Sequence, residues 1–350
     1  MPIYDFITKN KSFLDVHYEL KRRGIKNNAF HLTLMNPDLQ GVDPYAKDLT
    51  TEQMKAIIKE CSENITYYLR EVLRIQVNGS VERHMFHLDI ASASALYCFM
   101  LNTAFELMKP KFCHHTMDVL ALLSHAFKFG TVCEDYTFIA DEKYLSRQNL
   151  KIMRSMLEEG LPDYMVDPNL AGEDFNVSSV KVNDVNTYID PVSRNVVVAS
   201  NSPTSREQAE NIGRGCSSSY IYLDEFERIK HVDSIMNAMI TPYAIKSTNA
   251  DRYGLNHCLI LTSRPGKLDD PNCVNALKVS TRFVRWKLEL LDLSKEEFLA
   301  YVKNHSLYKG VFISFNYNEL GLDETWFKHS CQLLGGIPDR IEREILLKHI

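Results

Sequence analysis

The 350-residue sequence has no CxxC pair, no basic excess and no apolar run long enough to span a bilayer. Its eight cysteines (61, 98, 113, 133, 216, 258, 273 and 331) are scattered, which suits reduced thiols better than a disulfide framework. The net charge of −5 provides no overall field for nucleic acid, so any such contact must come from a local patch. No stretch approaches the roughly 20 apolar residues of a membrane helix, and Met1-Pro2-Ile3-Tyr4-Asp5 opens without a basic and apolar leader. These absences point to a soluble intracellular chain. Its 45% hydrophobic and 24% charged content is ordinary, and its length suffices for one large α/β core or two modest ones.

The periodicity predicts three regions. Residues 1–84 read as a helical accessory region. A helix is expected over 6–23, with Phe13, Val16 and Leu20 inward and a stop at Gly24. A second, capped by Thr50 or Thr51, is followed by helix over 64–74. Residues 85–266 alternate between the two element types. Helices are predicted over 90–101, from Val119 to Phe127, over 144–159, 205–211 and 235–243. Strands are predicted over 103–108, 136–140, 180–182, 196–198, 220–223 and 259–261, giving a mainly parallel sheet flanked by helices. Residues 267–350 hold three more helices and a strand at 311–315, and read as a small lid or linker subdomain.

Chemistry concentrates where strands end. Tyr220-Ile221-Tyr222-Leu223 runs directly into Asp224 and Glu225. At the carboxyl end of an α/β strand, the first acid can hold Mg²⁺ through water and the second can orient an attacking water. Between the strand ending at Met108 and the next helix lies Lys109-Pro110-Lys111-Phe112-Cys113-His114-His115-Thr116, where a phosphate-binding loop belongs. This loop has no glycine, and His115 stands where such a loop carries its lysine. Thr116 keeps the hydroxyl that reaches Mg²⁺, and Lys111 has a stem long enough to reach phosphates. Cys113-His114-His115 has no spaced set of further ligands, so zinc is not expected there. Thr262 and Ser263 close another strand and are placed to sense a γ-phosphate. Gly213-Arg214-Gly215 reads as a basic turn whose Arg214 can touch a phosphate or a DNA backbone.

The order of these pieces resembles the ATPase half of the large terminase subunit of tailed bacteriophages, especially the large-genome branch. The likeness rests on Asn10-Lys11-Ser12-Phe13, on the stretch from Tyr68 to Ile75, and on Ala209-Glu210-Asn211-Ile212-Gly213-Arg214-Gly215. It continues through Leu223-Asp224-Glu225-Phe226, Leu261-Thr262-Ser263-Arg264-Pro265-Gly266 and Arg343-Glu344-Ile345-Leu346-Leu347. The resemblance implies a P-loop NTPase (RecA/ASCE-like) core that binds ATP and Mg²⁺ and drives double-stranded DNA into a procapsid. Its implied partners are a portal protein, a small terminase subunit and further copies in a ring at the portal vertex, in the host cytoplasm. Asp224 would be the Walker B magnesium acid and Glu225 the catalytic carboxylate, with Thr262 and Ser263 on the coupling motif. Lys111, His114, His115 and Thr116 would contact nucleotide, Thr116 would share the metal, and Arg214, Arg264 or Arg206 would complete a neighbour's site. The sequence departs from the family pattern at Pro110–Thr116, where Pro-Arg-Gln-x-Gly-Lys-Thr is expected, and at Asp89-Ile90-Ala91-Ser92, where Arg-Gly-Asn is expected. No nuclease-type acidic cluster follows Gly266, so a separately encoded nuclease half is a further expected partner. A catalytically silent or split relative, acting as a DNA or portal interaction protein, is the alternative.

Overall fold

The computed structural model describes residues 3–76, 82–172 and 184–350. The strand expected over 180–182 lies outside these. The centre is an eight-stranded sheet. Its strands in chain order are β1 (Ala104–Met108), β2 (Asp135–Ala140), β3 (Thr187–Ile189), β4 (Val196–Asn201), β5 (Tyr220–Asp224), β6 (Cys258–Ser263), β7 (Val284–Arg285) and β8 (Gly310–Ser314). Across the sheet they run β7-β8-β1-β6-β5-β2-β4-β3. All neighbours are parallel except the edge pair β3 and β4.

The principal helices are α1 (Lys11–Arg22), α2 (Thr51–Glu63), α3 (Ile90–Met100), α4 (His115–Phe129), α5 (Lys143–Glu159), α6 (Arg206–Gly215), α7 (Val232–Arg252), α8 (Pro271–Ser280), α9 (Lys295–His305), α10 (Glu324–Leu333) and α11 (Pro338–Glu344). Side chains alternate across a strand, so β5 sends Tyr220 and Tyr222 into one core and Ile221 and Leu223 into the other. Phe13, Tyr67, Ile90 and Leu123 share the first core with Tyr222; Met236, Met239 and Ala276 share the second with Leu223. Both faces of a parallel sheet are thereby covered. The α/β class expected from the sequence is the class observed.

Local chemistry explains where elements differ from expectation. The first helix starts at Lys11 rather than residue 6, because Asn10 is extended and its amide donates to the carbonyls of Arg70 (3.2 Å) and Phe86 (2.8 Å). Ser12 Oγ donates to Asn10 at 2.8 Å and accepts the Leu88 N–H at 3.0 Å, pinning the residue before Asp89. After α2, capped by Thr50 with Gln53 reciprocating, the chain makes a short turn at Ile65–Tyr67 and a π-turn at Tyr68–Val72, then extends at Arg74–Gln76. Arg70 is wholly buried there, ion-paired to Glu71 at 2.9 Å. The expected turn Gly213-Arg214-Gly215 is instead the last turn of α6. A Cβ on Gly213 would lie 2.5 Å from the Ile235 carbonyl oxygen, so glycine serves close packing against α7 and not a bend. The region expected as a lid supplies β7 and β8 to the central sheet, with Gly310 to Ser314 in register against Ala104 to Met108. Among the described residues no helix is long and apolar enough to cross a membrane.

Candidate functional site

The carboxyl ends of β1, β6 and β5 lie side by side, Ser263 in register with Met108 and Thr262 with Asp224. In an open α/β sheet this rim is where ligands bind. From β1 the chain passes through the loop at 110–114 into α4, bringing Thr116 Oγ1 to 3.4 Å from Asp224 Oδ1. The glycine-free loop and the acidic strand therefore meet in one cleft.

The loop adopts a glycine-like path without glycine. Phe112 (φ 71°) and His114 (φ 56°) are left-handed, and no side chain caps α4. Left-handed backbone costs an ordinary residue about 1–2 kcal/mol, so the surrounding contacts must impose it. Those contacts begin at Lys109, which in the sequence reads only as a flank of the loop. Its ammonium is wholly buried, bound to Asp89, to Asp118 at 2.7 Å and to Ser92 at 3.0 Å. Asp89 meanwhile caps α3 through the Ser92 N–H at 2.8 Å. The residues standing in place of the expected Arg-Gly-Asn thus hold an internal cation that ties β1, α3 and α4 together. Burial opposes the charge on Lys109, but Asp118 and Asp89 outweigh it and keep the group protonated above the usual lysine range. Burial also drives the Asp118 carboxyl up to about 7, against the pull of Lys109.

Asp224 is buried and held by four donors: Thr262 (2.7 Å), Tyr222 (2.8 Å) and Thr116 on Oδ1, and Asn149 (2.7 Å) on Oδ2. Asn149 projects from α5; no sequence signal marked it, because a single inward amide on an amphipathic helix carries no motif. Glu225 turns the chain with a left-handed φ of 51° and is buried beside Asp224. Its Oε1 is held by the Arg264 guanidinium, and His115 Nε2 lies 3.9 Å from the same oxygen. Burial, reinforced by the Arg264 charge, keeps the His115 imidazole below its usual range despite Glu225. Three buried polar atoms in this cleft have no hydrogen-bond partner: His115 Nε2, Glu225 Oε2 and Arg264 Nε. Unpaired buried groups are costly, so a cluster of them marks a place made for a polar occupant.

Other candidates are placed differently. Lys111 Nζ is on Glu344 at 2.6 Å, and its N–H donates to the Glu344 carbonyl at 2.6 Å, so α11 holds the start of the loop. His114 forms the left-handed corner itself, its imidazole lowered by burial. Ser263 Oγ accepts the Glu227 N–H at 3.3 Å and stands behind Thr262 rather than beside Asp224. Arg214 is exposed on α6, paired with Glu210 at 3.1 Å, and bonds to none of the cleft residues.

The donor set fits a phosphate chain with its cation. The uncapped start of α4 presents backbone N–H groups, Arg264 and His115 bring unused guanidinium and ring nitrogens, and Thr116 with Asp224 offers oxygen ligands. A lysine at the loop's end is what the set lacks.

No protein-family model matches the chain, and no curated protein does. Among solved structures, the large terminase ATPase domain of Thermus phage P74-26 is 12% identical at a TM-score of 0.47, over 76% of this chain and 95% of that one. The large terminase of bacteriophage HK97 is 11% identical at 0.47, over 82% of this chain and 55% of that one. The large terminase of a thermophilic bacteriophage, solved in complex with ATP-γ-S, is 9% identical at 0.42, over 75% and 53%. This chain thus spans about half the length of the last two. The solved structures to which this chain is similar include the ATPase domain of one phage large terminase and the large terminases of other phages.

Proposed function

We propose that this chain is the ATPase part of a viral DNA-packaging motor, coupling ATP hydrolysis to movement of double-stranded DNA into a procapsid. The observation that carries the reading is the meeting of Thr116 and Asp224, with Glu225 alongside, at the uncapped start of α4. ATP with Mg²⁺ would supply the phosphoanhydride and neutralise its charge. Thr116 and Asp224 would hold the ion, and the α4 N-terminus and Arg264 would face the phosphates. Glu225 is the group placed to orient water, and it becomes free to do so once Arg264 turns from carboxylate to phosphate. Thr262, on the same Asp224 oxygen as Thr116, links that centre to β6.

Exposed Arg214 is the candidate for a neighbouring copy's site in a ring on the portal, with exposed Arg206 as the other, since Arg264 is engaged within its own cleft. The small terminase subunit and a separately encoded nuclease half are the remaining proposed partners. The test is steady-state ATP hydrolysis with DNA and portal present. Wild type should turn over and Glu225→Gln should lose activity by at least about a hundredfold, the range typical of removing a positioned acid–base group. Turnover unchanged by Glu225→Gln sinks the assignment.

A silent relative is the second reading, favoured by the buried His115 and by Lys111 being spent on Glu344. Absence of turnover by wild type together with no submillimolar Mg-ATP binding in calorimetry would select it, and submillimolar binding that Lys111→Ala abolishes would count against it.

A further inference from the structure

Away from the cleft, three side chains far apart in the sequence come together. Glu227 lies in the turn after β5, Cys273 in the first turn of α8, and His349 beyond α11. Their ligand atoms all lie within 4.8 Å of one another, the one such group among the described residues. His349 Nε2 stands 3.0 and 3.1 Å from the two Glu227 oxygens, and Cys273 Sγ 3.3 Å from Glu227 Oε2. A tetrahedral ion with bonds of about 2.0–2.1 Å to nitrogen and oxygen and about 2.3 Å to sulfur needs edges of roughly 3.3–3.6 Å between those atoms. The Glu227–His349 and Glu227–Cys273 spacings are within a few tenths of an ångström of that, and the Cys273 and His349 ligand atoms lie within 4.8 Å of each other. The Gly266 N–H donates to Glu227 Oε2 at 2.7 Å, fixing the carboxylate from outside.

We propose that Glu227, Cys273 and His349 form a binding site for a borderline transition-metal ion, zinc foremost, with the fourth position open to water. One sulfur, one imidazole and one carboxylate suit Zn²⁺ and disfavour Mg²⁺ or Ca²⁺, which take oxygen alone. Cys273 and Glu227 are buried, while the His349 side chain is 23% exposed, so an ion enters from the His349 side. Sulfur ligates as the thiolate, so binding releases the Cys273 thiol proton to solvent as the metal–sulfur bond forms, and weakens as pH falls. The ion would fasten the segment after α11 to the turn that follows Glu225.

The test uses the full chain, stripped with chelator and titrated with Co²⁺ as the optical probe. The expected result is one cobalt per chain with a near-ultraviolet thiolate-to-cobalt band that Zn²⁺ abolishes by displacement. The band should vanish in Cys273→Ser and persist in Cys331→Ser, and His349→Gln should weaken binding at least roughly tenfold. Should Cys273→Ser fail to fold, His349→Gln, at a partly exposed position, decides by the same readout. No binding, binding without the band, or affinity indifferent to His349→Gln overturns the site.

Discussion

Lys109 shows how a substitution in one place is answered in another. A lysine absent from position 115 has a counterpart six residues earlier, but buried among Asp89, Asp118 and Ser92, where it supports the loop and does not face the cleft. Lys109→Met should strand two buried carboxylates and cost about 3–5 kcal/mol, read as a fall in the urea midpoint. Thr116, Asp224 and Glu225 were legible because strand-then-acid and loop-then-helix are local patterns. Asn149, Lys109 and the Arg264–Glu225 pair were not, since each depends on which elements the fold sets side by side. Lys111 illustrates the limit: its reach was readable, but its partner, Glu344, lies in α11. If that pairing competes with phosphate, Glu344→Gln should tighten Mg-ATP several-fold in calorimetry, and Lys111→Ala should weaken it.

At the scale of elements, periodicity and capping placed most helices and strands within a few residues, and packing decided the rest. Gly213 reads as a helix breaker, yet it lets α6 lie against α7. Gly213→Ala would set its Cβ 2.7 Å from Ala238 Cβ and should cost about 1–3 kcal/mol. Gly215→Ala, with nothing within 4 Å, is the matched control and should leave the melting temperature nearly unchanged. Pro242 lies inside the 21-residue α7, which runs well past the helix end expected at 243. The π-turn at Tyr68–Val72 was invisible in sequence, because wholly buried Arg70, bonded to the His31 carbonyl at 3.1 Å, is what makes the wider turn worthwhile.

For the molecule as a whole, acid should act first through buried imidazoles. Burial lowers His31 to about 3 and His125 to about 4, and it lowers His115 as well. Each has a folded value below the unfolded 6.5, so its contribution is complete above pH 6.5 and is lost as pH falls toward the folded value. Asp118, raised to about 7, moves the opposite way. The chemical-denaturation midpoint of wild type compared with His125→Gln, from pH 7 to 4.5, isolates one imidazole: the variant's slope should be the flatter. The contacts of residues 344–349 also bear on the order of biosynthesis. Lys111 and Glu227 depend on Glu344 and His349, so a nascent chain can shape its sheet while both still lack their partners. The cleft at the end of β5 would then mature only after the sheet has left the ribosome, and a half-made copy would carry a finished sheet whose loop is not yet fastened.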